Sequence, residues 1–436
     1  MSGCVRLSPP NAAIDAEVDL PGSKSITNRA LLLAAFAKGN SSLTRVLDSD
    51  DTRHMARALE GLGVSISWDV ASATAEIVGG DGTVPNTSGS IFIGNAGTAA
   101  RFLTVALALW PGSFTLDGAP RMRERPIAPL LTALRTLGAR VSGTEVQDHI
   151  PLRIEGGHLR GGVVTVPGDV SSQYLSGLLL ASPYMGEGIK LSIPDVLVSR
   201  PYVEMTRKMM ARFGVEVRSP SPQAFEVAPG QRYDARAYEI EPDASGASYF
   251  FAAAALTGGR IRARGLSRES MQGDLRFVEI LEMMGCDVEW GPSWIELRGP
   301  ADRDHLRGVE VDMRDCSDVA QTLAVVAAFA ATKTRITGIG FIRGKETDRI
   351  GAVVRELQRL GGHAVEEPDG LSIDPSEGKI EAGRVCTYED HRMAMSFALA
   401  GLVVDGIEVE DPGCVAKTFP DFFTRLRALG VGVRAQ

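Results

Sequence analysis

The sequence predicts an α/β protein assembled from six like units, and three observations predict it. A small polar loop running straight into an apolar, Ala/Leu-rich helix is written six times, as PGSKSITNR, GNAGTAAR, GDVSSQ, PDASGAS, DCSDVAQT and EDHRMAMS. These loops begin near Pro21, Gly94, Gly168, Pro242, Asp315 and Glu389, about 73 residues apart, so six periods account for essentially the whole chain of 436 residues. Each unit also closes alike, on an amphipathic helix, a Gly and a short Val-rich strand, as in LEGLGVSI, MARFGVEV and LRALGVGV.

Along one unit the pattern reads strand, apolar helix, strand, amphipathic helix, strand. The first helices (ALLLAAFA, FLTVALALW, YLSGLLLAS, SYFFAAAAL, TLAVVAAFA, MAMSFALAGL) are apolar on every side, which marks a helix buried within a layered core. The second helices, such as MARALEGLG and VVRELQRLG, space their apolar residues by three and four with charges between, so one side faces solvent. Strands are short and β-branched: GVVTVP, IKLSIP, GIEVED. The segment 218–238, rich in Pro and polar residues, falls at the middle of the array, so a three-plus-three division with a cleft between similar halves is expected.

Bulk properties exclude several functions. A hydrophobic content of 44% suits a globular chain, and no run approaches the roughly 18 apolar residues of a membrane span. MSGCVRLSPP lacks the layout of a signal peptide, so a cytoplasmic location is expected. The five cysteines (Cys4, Cys286, Cys316, Cys386, Cys414) form no CxxC and have no His at ligand spacing, so reduced thiols and no metal site are expected. A net charge of −8 argues against nucleic acid as partner. In an acidic chain, Lys and Arg gathered where helices begin suggest a pocket for a small anion, with solvated surface charge as the plain alternative.

The loops repeat in position but differ in chemistry, as an asymmetric site requires. GIGFIRGKET (338–347) looks like a P-loop, yet its glycine spacing is off by one and Glu346 stands where a magnesium-binding hydroxyl is needed, so nucleotide binding is not expected. GNAGTAAR opens a helix whose backbone N–H groups suit an anion. Lys24 and Arg29 start a buried helix and must reach a carboxylate, a ligand or water. In RMRERPI one of Arg121, Arg123 and Arg125 is expected to point inward. GKETDRI places Lys345, Glu346, Asp348 and Arg349 at a helix start, where an acid also has an ordinary capping role.

PGSKSITNRALLLAAFA, GNAGTAARFL, RMRERPI, VSSQYLSGLLLA, SRPYVEMT, GKETDRI, YEDHRMAMSFALAG and AKTFPDFF resemble, in order and over residues 21–423, the motif set of the 3-phosphoshikimate 1-carboxyvinyltransferase family. The resemblance implies transfer of the enolpyruvyl group of phosphoenolpyruvate to the 5-hydroxyl of shikimate 3-phosphate, releasing phosphate, with no metal or organic cofactor. It implies two globular domains of three βαβαββ repeats each (an inside-out α/β barrel), residues 1–22 plus 243–436 and residues 23–242, with the active site in the cleft between them. Shikimate 3-phosphate is expected to close that cleft by neutralising its cations.

Carried over motif by motif, Ser25 and Arg29 are expected to hold the shikimate carboxylate, and Ser171, Ser172, Ser199 and Lys345 its phosphate. Lys24, Gly97, Arg125, Gln173, Arg349, Arg392 and Lys417 are expected around phosphoenolpyruvate, with Gln173 touching both ligands. Asp318 is implied as base near the substrate hydroxyls, Glu346 as acid and base at C3, and Lys24 beside the reacting hydroxyl; how Lys24, Lys417 and His391 share the proton transfers is left open. Gly97 leaves room at the phosphate end of phosphoenolpyruvate, where the competitor glyphosate is expected to bind. In one departure, Phe341 stands where related members carry an Asn. A monomer is expected. The rival readings are the sister enzyme acting on UDP-N-acetylglucosamine, whose reactive cysteine loop is absent here, and a non-catalytic anion-binding scaffold.

Overall fold

The protein is described by a computed structural model over residues 3–436. The chain divides into two compact units, an internal one, Gly22–Ile240, and a terminal one formed by Met1–Pro21 with Glu241–Gln436.

The second repeat shows how sequence makes each element. After the strand Ser88–Phe92, the run from Phe102, apolar but for Thr104, builds the helix Gly97–Leu109, in which residues from Gly97 to Ala108 are buried. Pro111 stops it, because the residue before a proline is driven out of the helical region, and Trp110 is extended at φ −68°, ψ 133°. The strand Gly112–Asp117 follows, then the amphipathic helix Ala128–Thr136, which ends where Gly138 takes φ +97°. Two strands close the repeat, Arg140–Gly143 and Leu152–Gly156. Periodicity alone shows one closing strand, and the βαβαββ repeat implied by the family resemblance accounts for both. The strand Leu152–Gly156 is too short for its alternation to stand out from the preceding polar turn and is defined by its pairing with both neighbours.

Among the described residues there are six four-stranded sheets of one topology. In the sheet of this repeat Ser88–Phe92 pairs parallel with Gly112–Asp117, which pairs antiparallel with Leu152–Gly156, itself antiparallel to Arg140–Gly143. Alternation then sets the faces: Phe114, Leu116, Val141, Leu152 and Ile154 turn to the helices, while Arg153 and Ser142 turn to solvent. Strands distant in sequence complete two of the other sheets. Ala237–Glu239 pairs with Lys38–Thr44 in the internal unit, and Cys4–Ser8 is inserted between Ile407–Glu410 and Gly432–Ala435 in the terminal one.

The segment 218–238 is therefore not a break. Arg218–Ser221 and Ala224–Val227 form the hairpin of the third repeat, and Phe225, Tyr233 and Tyr238 anchor the segment in the core.

Packing is tight where the apolar helices end. A Cβ on Gly79 would lie 2.1 Å from the carbonyl of Ala34, one on Gly156 1.9 Å from that of Trp110, and one on Gly299 2.1 Å from that of Ala254. Three repeats thus use a glycine where the last strand crosses the C-terminus of the apolar helix. Leu31, Leu33 and Phe36 are fully buried within one such helix, each worth about 1.5–3 kcal/mol relative to exposure. No helix among the described residues is long and apolar enough to cross a membrane.

Candidate active site

Two groups of polar side chains sit at helix starts, one in each unit. In the internal unit the helix Lys24–Phe36 carries Arg29, which is buried and hydrogen-bonds only neutral acceptors: Thr206 Oγ1 at 2.8 Å, the Ser25 carbonyl at 2.9 Å, the Tyr202 carbonyl at 3.1 Å and Ser176 Oγ at 3.3 Å. Its guanidinium also lies 5.1 Å from the Phe102 ring centroid. Burial lowers its pKa from the ordinary arginine value to about 10, so it stays charged at neutral pH. Five N–H donors meet four acceptors, and a desolvated cation of this kind is primed for an anion. Lys24, half-buried at the same helix start, has its ammonium 3.5 Å from the buried carboxylate of Asp51.

Of the three arginines in RMRERPI, Arg125 is the one turned inward. Arg121 pairs with Glu124 at 2.9 Å, and Arg123 with Asp117 at 2.7 Å and Glu145 at 3.0 Å, all near solvent. Arg125 is buried, with Nη1 3.3 Å from both the carbonyl and Oδ1 of Asn95. Its guanidinium packs on Gly97, where a Cβ would come within 2.6 Å of Nη2. Arg101 has a scaffolding part: it reaches Met122 Sδ at 3.1 Å and the Pro126 carbonyl at 2.6 Å, which also accepts from Tyr174 Oη at 2.7 Å. The turn that carries Arg125 is thereby tied to two apolar helices.

Ser171 caps the helix Ser172–Ala181, its hydroxyl accepting from the backbone of Gln173 at 3.3 Å. Gln173 Nε2 reaches Thr98 Oγ1 at 3.3 Å, so the starts of this helix and of Gly97–Leu109 are neighbours. Ser199 is buried at φ +53°, a left-handed conformation that costs a non-glycine residue about 1–3 kcal/mol. Ser25 and Ser172 stand beside these groups at their own helix starts.

The terminal unit builds its group differently. Arg349, at the start of the helix Arg349–Arg359, is fully buried and meets three carboxylates: Asp390 at 2.8 Å, Glu346 at 2.9 Å and Asp318 at 3.3 Å. Burial disfavours its charge, but Asp390, Glu346 and Asp318 outweigh burial and hold the guanidinium above its ordinary value. Arg392 binds the other oxygen of Asp318 at 2.7 Å, and Lys417 lies 3.7 Å from Glu346. The result is three cations interleaved with three carboxylates. Asp348 is a helix cap, accepting from Ile350 at 3.2 Å and Gly351 at 3.1 Å. His391 is buried with Nδ1 3.6 Å from Asp390. Lys345 stands with its ammonium 5.8 Å from the Phe341 ring centroid.

Residue reasoning missed several supports. Asp390 holds Arg349 and caps the helix His391–Ala398 by accepting from the backbone of Arg392 at 2.9 Å; an Asp directly before an apolar run was the available signal. Asp51 and Asn95 lie far in sequence from the cations they hold, and no local pattern announces them. Asp274, buried and bonded by the Ser245 hydroxyl, has its pKa raised from 3.8 to about 6 by burial and by the charge of Asp318, against the pull of Arg392. A hollow of about 590 Å³ on the Arg200–Arg212 helix, lined by Glu204, Arg207, Lys208 and Glu216, contains none of the residues singled out from the sequence.

The repeat architecture is that of solved enolpyruvyl transferases. An enolpyruvyl transferase, NikO, from Streptomyces tendae superposes with a TM-score of 0.77 at 17% identity over 100% of this chain and 99% of its own, a likeness of fold. An EPSP synthase from Acinetobacter baumannii superposes with a TM-score of 0.82 at 26% identity, covering 99% of this chain and all of that one. The family model for EPSP synthase (3-phosphoshikimate 1-carboxyvinyltransferase) matches residues 9–426. Proteins named 3-phosphoshikimate 1-carboxyvinyltransferase from Trichormus variabilis and Escherichia coli are 46% and 45% identical, covering 95% and 96% of this chain and 96% and 97% of their own. The chain belongs to the EPSP synthase family.

Proposed function

We propose that the chain performs the reaction of its family, transfer of the enolpyruvyl group of phosphoenolpyruvate to the 5-hydroxyl of shikimate 3-phosphate, within the shikimate pathway of aromatic amino acid biosynthesis. The observation that carries it is the group of Arg349, Arg392 and Lys417 interleaved with Asp318 and Glu346. Two multiply charged anions need several cations to be held together, and the same reaction needs carboxylates to move protons.

Arg29 and Ser25 hold the shikimate carboxylate, and Ser171, Ser172, Ser199 and Lys345 the phosphate. Lys24, Arg125, Gln173, Arg349, Arg392 and Lys417 receive phosphoenolpyruvate, its phosphate end beside Gly97. The oxygen of the 5-hydroxyl attacks C2 as Asp318 takes its proton, with Lys24 close by, and C3 gains a proton from Glu346 to become a methyl group. The tetrahedral adduct then expels phosphate, which leaves with the proton held by Asp318, as Glu346 takes the C3 proton back.

The pairing of acids with cations gives this sequence its timing. An arriving phosphoenolpyruvate competes for Arg349, Arg392 and Lys417 and so weakens their hold on Glu346 and Asp318, which raises the proton affinity of both carboxylates when the substrate is in place. Glyphosate competes for the phosphoenolpyruvate subsite, and the protein acts as a cytoplasmic monomer.

Thiol chemistry of the sister enzyme is disfavoured, since burial pushes Cys286 and Cys414 up to about 12 and no cysteine lies in residues 5–285. The test is release of inorganic phosphate from phosphoenolpyruvate with EDTA present and either shikimate 3-phosphate or UDP-N-acetylglucosamine as acceptor. Release with shikimate 3-phosphate alone is expected; silence with both favours the scaffold reading.

A further inference from the structure

We propose that Phe341 is a positioning residue whose ring holds the Lys345 ammonium in the conformation that binds the phosphate of shikimate 3-phosphate, an inference that rests on the assignment of Lys345 above. The ammonium lies 5.8 Å from the ring centroid, within the reach at which the negative face of an aromatic ring attracts a cation. The ring is itself fixed. Phe341 belongs to the turn Gly340–Gly344 and packs, partly buried, against the hydrophobic core, with its neighbour Ile342 fully buried.

The rest of the turn is tied down by other groups. Asp369 accepts from the backbones of Gly338 at 3.1 Å and Gly340 at 2.8 Å. Arg343 donates to Asp348 at 3.0 Å, Glu366 at 2.6 Å and the Glu367 carbonyl at 2.8 Å. Of the two basic side chains here, Arg343 fastens the turn and Lys345 is seated on the ring. A carboxylate in place of the ring would cancel the ammonium's charge and compete with phosphate for its N–H donors. An aromatic face does neither: it restrains the flexible four-carbon stem and takes none of the three donors. Ordering the side chain beforehand lowers the entropy lost on binding.

The test compares Phe341→Leu, which keeps an apolar side chain but removes the aromatic face, with Phe341→Tyr, which keeps it. Calorimetry with shikimate 3-phosphate should show affinity about three- to tenfold weaker in Phe341→Leu and restored in Phe341→Tyr. Affinity for shikimate, which lacks the phosphate, and the KM for phosphoenolpyruvate should not move. Equal weakening toward shikimate and shikimate 3-phosphate, or unchanged affinity for both in a folded Phe341→Leu, overturns the proposal. A Lys345→Met variant separates the two levels: if it binds shikimate 3-phosphate as the wild type does, the role of Lys345 falls and Phe341 with it. A wild type that releases phosphate while Phe341→Leu matches it in affinity leaves the activity standing and removes only the inference.

Discussion

The two units store positive charge in opposite ways. In the internal unit Arg29 is surrounded by hydroxyls, carbonyls and the Phe102 ring, so its charge is desolvated without being neutralised. In the terminal unit Arg349 and Arg392 are saturated by Asp318, Glu346 and Asp390. The first arrangement leaves a desolvated cation with a depressed pKa, and the second a group whose formal charges cancel. Under the proposed assignments, Arg29 is charged before its ligand arrives, whereas Asp318 and Glu346 are released from their cations only as phosphoenolpyruvate binds.

The sharpest way to break this comparison is Asp318→Ala, which removes the proposed base and leaves Arg349 and Arg392 each short of a partner. Phosphate release should fall about 100- to 10,000-fold, and turnover near the wild-type value would reopen the scaffold reading. Arg29→Lys tests the neutral cradle, since an ammonium cannot serve acceptors spread around a planar fork. Affinity for shikimate 3-phosphate should drop about 10- to 100-fold by calorimetry; a drop below twofold would mean that the cradle needs only charge.

Asp274→Asn examines the acidic side through pH. The folded pKa of Asp274, about 6, lies above its ordinary 3.8, so the folded protein holds this proton more tightly. Its neutral form contributes stability that is full below about pH 4 and is lost as pH rises through about 6. In urea melts the wild type should therefore lose about 1–3 kcal/mol relative to Asp274→Asn between those pH values. A parallel pH dependence in the two proteins would exclude a buried, titrating Asp274. Gly97→Ala should have the smallest effect, because the clashing atom is the flexible end of Arg125. We expect KM for phosphoenolpyruvate and the inhibition constant for glyphosate to rise up to about tenfold, read from steady-state kinetics.

Much of the fold was legible because it is periodic. The apolar and amphipathic helices and their stops at Trp110-Pro111 and Leu137-Gly138 follow from residues adjacent in sequence. The second closing strand of each repeat and the hairpin within 218–238 were not legible from periodicity, and the former came only through the family resemblance, since strands of about four residues carry too little alternation and gain their identity from a partner. Among the site residues, charge and position narrowed the inward arginine to one of three, and only the family resemblance chose Arg125. In the fold that choice depends on Asp117 and Glu145 drawing Arg123 outward, and Glu145 lies 22 residues away.

What the sequence by itself determined is therefore the repeat, the buried and half-buried helices, the chemical type of each loop and, through long motifs, the family. These are local properties of hydrophobic spacing, caps and breakers. Only the tertiary structure decided which cation meets which partner: Arg29 with Thr206 from 177 residues away, Arg392 with Asp318 from 74. Such pairings depend on side chains converging from different repeats. A buried charge takes whatever acceptor the packing brings within about 3 Å, and no local pattern in the chain encodes that distance.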